Sequence, residues 1–129
     1  MGSEEEIVRI QLNKASQKIK AAKRLLEEGF LDDAISRAYY AVYHAASAAL
    51  FKEGILAKTH QAVKTMFGLH LIKSGKIDKK YGRWLSQLKD ERENGDYDIY
   101  VNFNKEDAQQ AIKEAEGFVE EIEKFLKQG

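Results

Sequence analysis

Residues 34 to 50 of this chain admit few folds. Placed on a helix, Ala34, Ile35, Ala38, Tyr39, Ala41, Val42, Ala45, Ala46, Ala49 and Leu50 cover most of the circumference. A helix with so little polar surface must be buried on several sides. It is therefore the central member of a bundle, or it also faces a second subunit, and its alanines allow the close axis-to-axis approach that a homodimer through this helix needs. The chain contains no proline in 129 residues. The strongest helix breaker is missing, while good helix formers recur throughout. The expected class is all-α: an antiparallel up-and-down helical bundle of four to five helices, forming one domain over residues 1–129.

The remaining helices follow from periodicity and end signals. The first is expected over 4–28, opened by a capping box between Ser3 and Glu6, with an apolar seam Val8, Leu12, Ala15, Ile19, Ala22, Leu26 and a stop at Gly29. The second runs over 32–53, favoured at its start by Asp32 and Asp33. Thr59 caps a third over 59–74, with Val63, Met66, Phe67, His70 and Leu71 as its apolar stripe. Asp78 caps a fourth over 78–94, broken at Asn94-Gly95. Asp96 to Phe103 reads as an ordered connection, and Asn104 starts the last helix, to 127, on a seam of Ala108, Ala111, Ala115, Phe118, Ile122 and Phe125. No internal repeat or low-complexity tract interrupts the pattern.

Composition excludes several classes of function. Without cysteine there is no disulfide framework and no thiol or cysteine-zinc chemistry. No apolar run approaches the roughly 20 residues that cross a bilayer, and the acidic start Glu4-Glu5-Glu6 is unlike a secretory signal, so a cytoplasmic protein without a membrane segment is expected. The zero formal charge is a cancellation: residues 52–92 carry ten basic and four acidic side chains, residues 93–129 four and ten. Two readings fit, a phosphate-facing surface around the middle helices or two segments that neutralise one another by packing.

Common catalytic motifs are absent. There is no glycine-rich phosphate loop and no H-E-x-x-H, and His44, His60 and His70 are too far apart to suggest a local metal site, so neither metal nor cofactor is expected. The distinctive stretch is Ser36-Arg37-Ala38-Tyr39-Tyr40-Ala41-Val42-Tyr43-His44-Ala45-Ala46. Arg37, Tyr40 and His44 share one helical stripe. A cation and an imidazole on an apolar helix must find partners, because burying an unpaired charge is very costly; those partners are either a neighbouring helix or a ligand. His70, in an apolar stripe, reads as a core or interface residue, and Lys76, Lys79, Lys80 and Arg83 as a solvated face or a contact for nucleic acid or an acidic partner.

Arg37 through Ala46, followed by Lys58-Thr59-His60 and later by Glu91-Arg92-Glu93-Asn94-Gly95-Asp96-Tyr97, resembles the HEPN family (higher eukaryotes and prokaryotes nucleotide-binding), in its small stand-alone prokaryotic branch. The likeness extends from about residue 4 to 127. It implies a four- or five-helix bundle, homodimerisation, and action on RNA or nucleotides beside a small nucleotidyltransferase in a toxin–antitoxin or defence pair.

Many members of that family are metal-independent ribonucleases whose motif is an arginine, usually a polar residue, and a histidine a few positions on. Here Arg92 is followed by an acidic residue, and Tyr97 stands where the histidine is expected. Cleavage through a ribose 2′-hydroxyl needs a base near neutrality, which imidazole supplies and a phenol, ordinarily near 10, does not. The resemblance places Arg92 in the motif; with Tyr97 unable to act as the base, the expected site is one in which the fold brings His44 or His60 beside Arg92 for catalysis, with Arg37, Tyr40, Asp96 and Tyr97 binding nucleotide or phosphate. The alternatives are a non-catalytic nucleotide- or partner-binding module and a structural adaptor, in which Gly95 ends a helix, Arg92 complements its dipole and Tyr97 packs back on the bundle.

Overall fold

The computed structural model describes residues 2–99 and 101–128. Its elements are α1 (Gly2–Glu27), α2 (Leu31–Lys52), α3 (His60–Phe67) continuing directly into a π-helical segment (Gly68–Ile72), α4 (Lys79–Tyr97) and α5 (Lys105–Lys127). There is no strand among the described residues. None of the helices is long and apolar enough to cross a membrane.

Most helix ends obey their local chemistry. At Gly29 (φ 85°) the amides of Gly29 and Phe30 bond to Leu26 and Leu25 carbonyls, and Gly54 (φ 82°) repeats this through Phe51 and Leu50. Both are left-handed glycine stops that satisfy the last carbonyls of a helix. Thr59 accepts from the Ala62 amide and Asp78 from Lys80. Asn104 and Asp107 form a reciprocal capping box.

Three expectations are corrected. Helix α1 already includes Gly2, so Ser3 lies inside its first turn and forms no capping box with Glu6. Helix α4 runs through Gly95 to Tyr97. Gly95 has no positive φ; a Cβ there would stand 2.9 Å from Phe103 Cε2, so the glycine admits the returning chain and does not stop the helix. His70 is exposed. The wider π turn across Gly68–Ile72 changes the helical phase, keeping Leu71 buried while His70 swings out.

Helix α2 is the axis of the bundle. Helices α1, α5 and α4 pack around it in decreasing extent, and Ala34, Ile35, Ala38, Ala41, Val42, Ala45, Ala46, Ala48 and Ala49 have no exposed surface. Its apolar circumference is thus covered within one subunit. On the inner side Phe67, Phe118, Ile35, Leu71 and Ile122 fill the core, with Phe67 and Phe118 ring centroids 5.4 Å apart. On the outer side α1 and α4 flank α2 without packing together to any extent, which leaves the Arg37, Tyr40, His44 stripe at the floor between them.

The oppositely charged middle and C-terminal segments neutralise one another locally, chiefly within α4, and Lys64 of α3 also acts on Glu93. Their ion pairs among the described residues, Lys89 with Glu93 and Arg92 with Asp96, both lie within α4, and the cross-helix pair of the acidic α5 is Glu116 with Lys23 of α1.

Candidate functional site

Helix α4 supplies the cation of the outer site. Arg92 Nη2 donates to the Tyr40 hydroxyl at 3.0 Å. Its Nε stands 3.1 Å from Asp96 Oδ2 but makes no aligned hydrogen bond, so that contact is Coulombic. The i, i+4 spacing on α4 places Arg92 above Asp96 on one face. The guanidinium carbon lies 5.4 Å from the Tyr40 ring centroid and 5.8 Å from that of Tyr97. Tyr97 is 75% exposed, and its ring offers a free face beside a cation. One turn earlier Lys89, nearly buried, pairs with Glu93 at 2.6 Å.

The start of α3 supplies the imidazole. His60 Nδ1 is 2.6 Å from the Tyr39 hydroxyl, and its ring stacks on Tyr43 at 4.4 Å and meets Tyr40 edge-on at 5.6 Å. Burial, with Tyr43 and Tyr40 adding to it, holds the Tyr39 hydroxyl well above the usual phenol range, so the hydroxyl keeps its proton. If it accepted from His60, that proton would be buried without a partner among the described residues, at a cost of about 1–3 kcal/mol. Tyr39 therefore donates to Nδ1, and neutral His60 carries its own proton on Nε2. Burial first, then Arg92 and Lys89, hold the imidazole below its ordinary value. His60 thus presents an N–H donor at neutral pH.

His44 is set the opposite way. Its Nδ1 lies 2.7 Å from Gln11 Oε1 of α1, an acceptor, so Nδ1 carries the proton and Nε2 keeps its lone pair. Burial, then Lys14 and Lys18, then His60, lower it to about 4. It is a free but weak base. The His44 ring contacts Tyr43 at 5.5 Å between centroids, which links it to His60 through the aromatic stack.

Tyr40, His60, Arg92, Asp96 and Tyr97 are accordingly joined by direct contacts, and His44 connects through Tyr43. Arg37, one turn before Tyr40 on the same stripe, is exposed and ion-pairs with nothing among the described residues. Sequence reading missed Tyr39 and Tyr43, whose apolar neighbours mark them as core, and Gln11 and Lys89, which carry no motif. A cleft of about 1040 Å³ lies elsewhere, between the π segment and α4. None of His44, His60, Tyr40 and Arg92 lines it; those polar groups converge in the cluster instead. No group of three His, Asp or Glu among the described residues is placed to hold a metal ion.

A family model described as the HEPN domain matches residues 8–125. The chain belongs to the HEPN family. Among its relatives, a UPF0332 protein of Thermotoga maritima is 32% identical over 98% of this chain and 96% of its own length. A protein of Methanocaldococcus jannaschii named "Putative toxin" is 39% identical over 88% of this chain and 84% of its own. A UPF0332 protein of Archaeoglobus fulgidus is 34% identical, with 86% and 88% covered. The HEPN match spans the whole cluster, from Gln11 on α1 to Tyr97 at the end of α4.

Proposed function

We propose that this HEPN chain is the RNA-directed member of a toxin–antitoxin pair and works beside a small nucleotidyltransferase. The observation that carries the reading is the joining of Arg92 to Tyr40, and of His60 to the adjacent tyrosines, across helices that meet only in the fold. A guanidinium, an N–H donor and a hydroxyl at one mouth are the groups that hold a phosphodiester, and stacked rings beside them suit an unpaired base. The relatives named as toxins agree with it. Homodimerisation and a cytoplasmic setting belong to the same reading, and light scattering that finds only a monomer at micromolar concentration would remove the dimer.

The two histidines limit what the site does chemically. His60 offers a donor at Nε2, and His44 has the free lone pair but little basicity, so neither is well matched to removing a 2′-hydroxyl proton. This favours a second reading, a module that binds RNA or its nucleotidyltransferase without rapid cleavage. In a cleavage assay run in chelator, activity is expected to be weak, and to disappear with Arg92→Ala. Robust cleavage that survives Arg92→Ala, His44→Ala and His60→Ala would overturn the site. Co-expressed with the reading frames flanking its gene, the chain is expected to co-purify with a nucleotidyltransferase.

A further inference from the structure

The outer face of the α1–α2 hairpin is cationic for a reason visible in its composition. From Ile7 to Leu26 helix α1 holds six basic residues and no aspartate or glutamate, and helix α2 has none beyond Asp32 and Asp33 of its first turn. Two antiparallel helices of ordinary surface composition would carry both signs. The seam is pinned by Gln11 against His44. Counting seven residues along each antiparallel helix from that contact, about 10 Å on both, sets Lys18 beside Arg37. Lys14 lies between, on the face of α1 that carries Gln11. The effect of Lys14 and Lys18 on His44 agrees with that register. Lys14 and Arg37 are exposed and Lys18 half-exposed, and none has a carboxylate partner among the described residues.

We propose that Lys14, Lys18 and Arg37 form a phosphate track that carries a single-stranded RNA along the α1–α2 seam to the Arg92 cluster. The inference rests on the RNA reading of that cluster and adds the path and the strandedness. A row of unpaired cations attracts any polyanion. What selects a single strand is the end of the row, where the Tyr43–His60 stack and the exposed Tyr97 ring beside Arg92 offer faces to unstacked bases. The cleft between the π segment and α4 has cations too, but its apolar lining is aliphatic (Leu69, Ile72, Leu85), and its aromatic residue, Phe67, has no exposed surface.

The test is fluorescence anisotropy of a labelled oligouridylate titrated with the intact chain over a series of salt concentrations. The triple variant K14E/K18E/R37E is expected to bind roughly tenfold or more weakly, with a slope of log K against log salt shallower by about 2, since each single-strand phosphate contact contributes about 0.7. K79E/R83E, on the α3–α4 cleft, is expected to bind like the parent. Circular dichroism checks the fold, and K14Q/K18Q/R37Q replaces the charge reversal if that variant fails to fold. Parent-like affinity and slope in the triple variant would overturn the track while leaving the RNA reading intact, as would a loss confined to K79E/R83E. A triple variant that binds RNA normally but no longer co-purifies with a nucleotidyltransferase would make the seam a protein interface and also overturn it. If the parent chain binds no single-stranded RNA, the RNA reading falls and the track with it.

Discussion

The two outer seams of the bundle suppress ionisation by the same means and with opposite sign. Between α1 and α2, His44 is half-buried among lysines and is held neutral down to about pH 4. Between α4 and α5, Glu91 is half-buried beside Glu114 and Asp107, and its carboxyl is pushed up to about 7. Desolvation is the larger cause in both, and like charge adds to it. The two seams thus carry opposite charge: Lys14 and Lys18 act on His44 in one, Glu114 and Asp107 on Glu91 in the other. Glu114 is 7% exposed, and one of its oxygens accepts from Gln110 while Oε1 is buried without a partner. That orphaned oxygen makes the second seam a local burden on stability.

Both seams lean on one apolar core, and removing part of it is expected to have the largest effect. Phe118 has no exposed surface and meets Phe67 and Tyr81. Phe118→Ala should lower unfolding free energy by about 3–5 kcal/mol, read by urea denaturation. A loss below about 1 kcal/mol would mean that the core collapses around the cavity and does not couple the seams.

A smaller change of opposite sign is expected on the anionic side. Glu114→Leu removes the orphaned oxygen and the charge facing Glu91, at the loss of the Gln110 contact. It should stabilise the fold by about 1–3 kcal/mol at neutral pH. The same substitution on a seam whose polar groups were satisfied would destabilise, so the sign of the shift in denaturation midpoint decides.

What could be read in advance divides along physical lines. Helix class and most ends are local: Gly29, Gly54, Thr59, Asp78 and Asn104 act on amides and carbonyls within a few residues, so pattern suffices. Gly95 looks like a stop by the same rules, but its reason, the Phe103 ring, is eight positions away across a chain reversal. The π turn that exposes His70 has no local signature. In the site, residue types were legible and pairings were not. Tyr40 meets Arg92 across 52 positions, Gln11 meets His44 across 33, and Tyr39 meets His60 across 21. Only those contacts tell the two histidines apart, since one has an acceptor at Nδ1 and the other a donor.

The pH dependence sharpens the contrast between the seams. His44 falls from an ordinary 6.5 to about 4 on folding, so the unfolded chain takes its proton first. Its contribution is fully present above pH 6.5 and is lost as pH drops toward 4; His60, lowered in the same direction, adds to that acid limb. Glu91 rises from 4.5 to about 7, so the folded state holds the extra proton. Its contribution is present below 4.5 and is lost as pH climbs to 7. Denaturation at intervals from pH 4 to 8 is expected to show the acid limb weakened in His44→Gln and the upper limb flattened in Glu91→Gln. Identical profiles for parent and both variants would show that neither seam is coupled to folding.

The smallest effect is expected at a position belonging to neither seam. Gly68 begins the π segment with helical angles (φ −60°, ψ −46°), and a Cβ there would meet nothing within 4 Å. Alanine loses less backbone freedom than glycine on folding, so Gly68→Ala should stabilise the chain by about 0.5–1 kcal/mol. Because no charge is touched, the gain should be the same at every pH, lifting the whole profile without changing either limb. Gly95→Ala is the contrasting control: its methyl would stand 2.9 Å from the Phe103 ring and should cost about 1–3 kcal/mol. If Gly68→Ala instead destabilises, the π turn depends on glycine's backbone freedom, and the phase change that exposes His70 would be a requirement of the backbone at that residue.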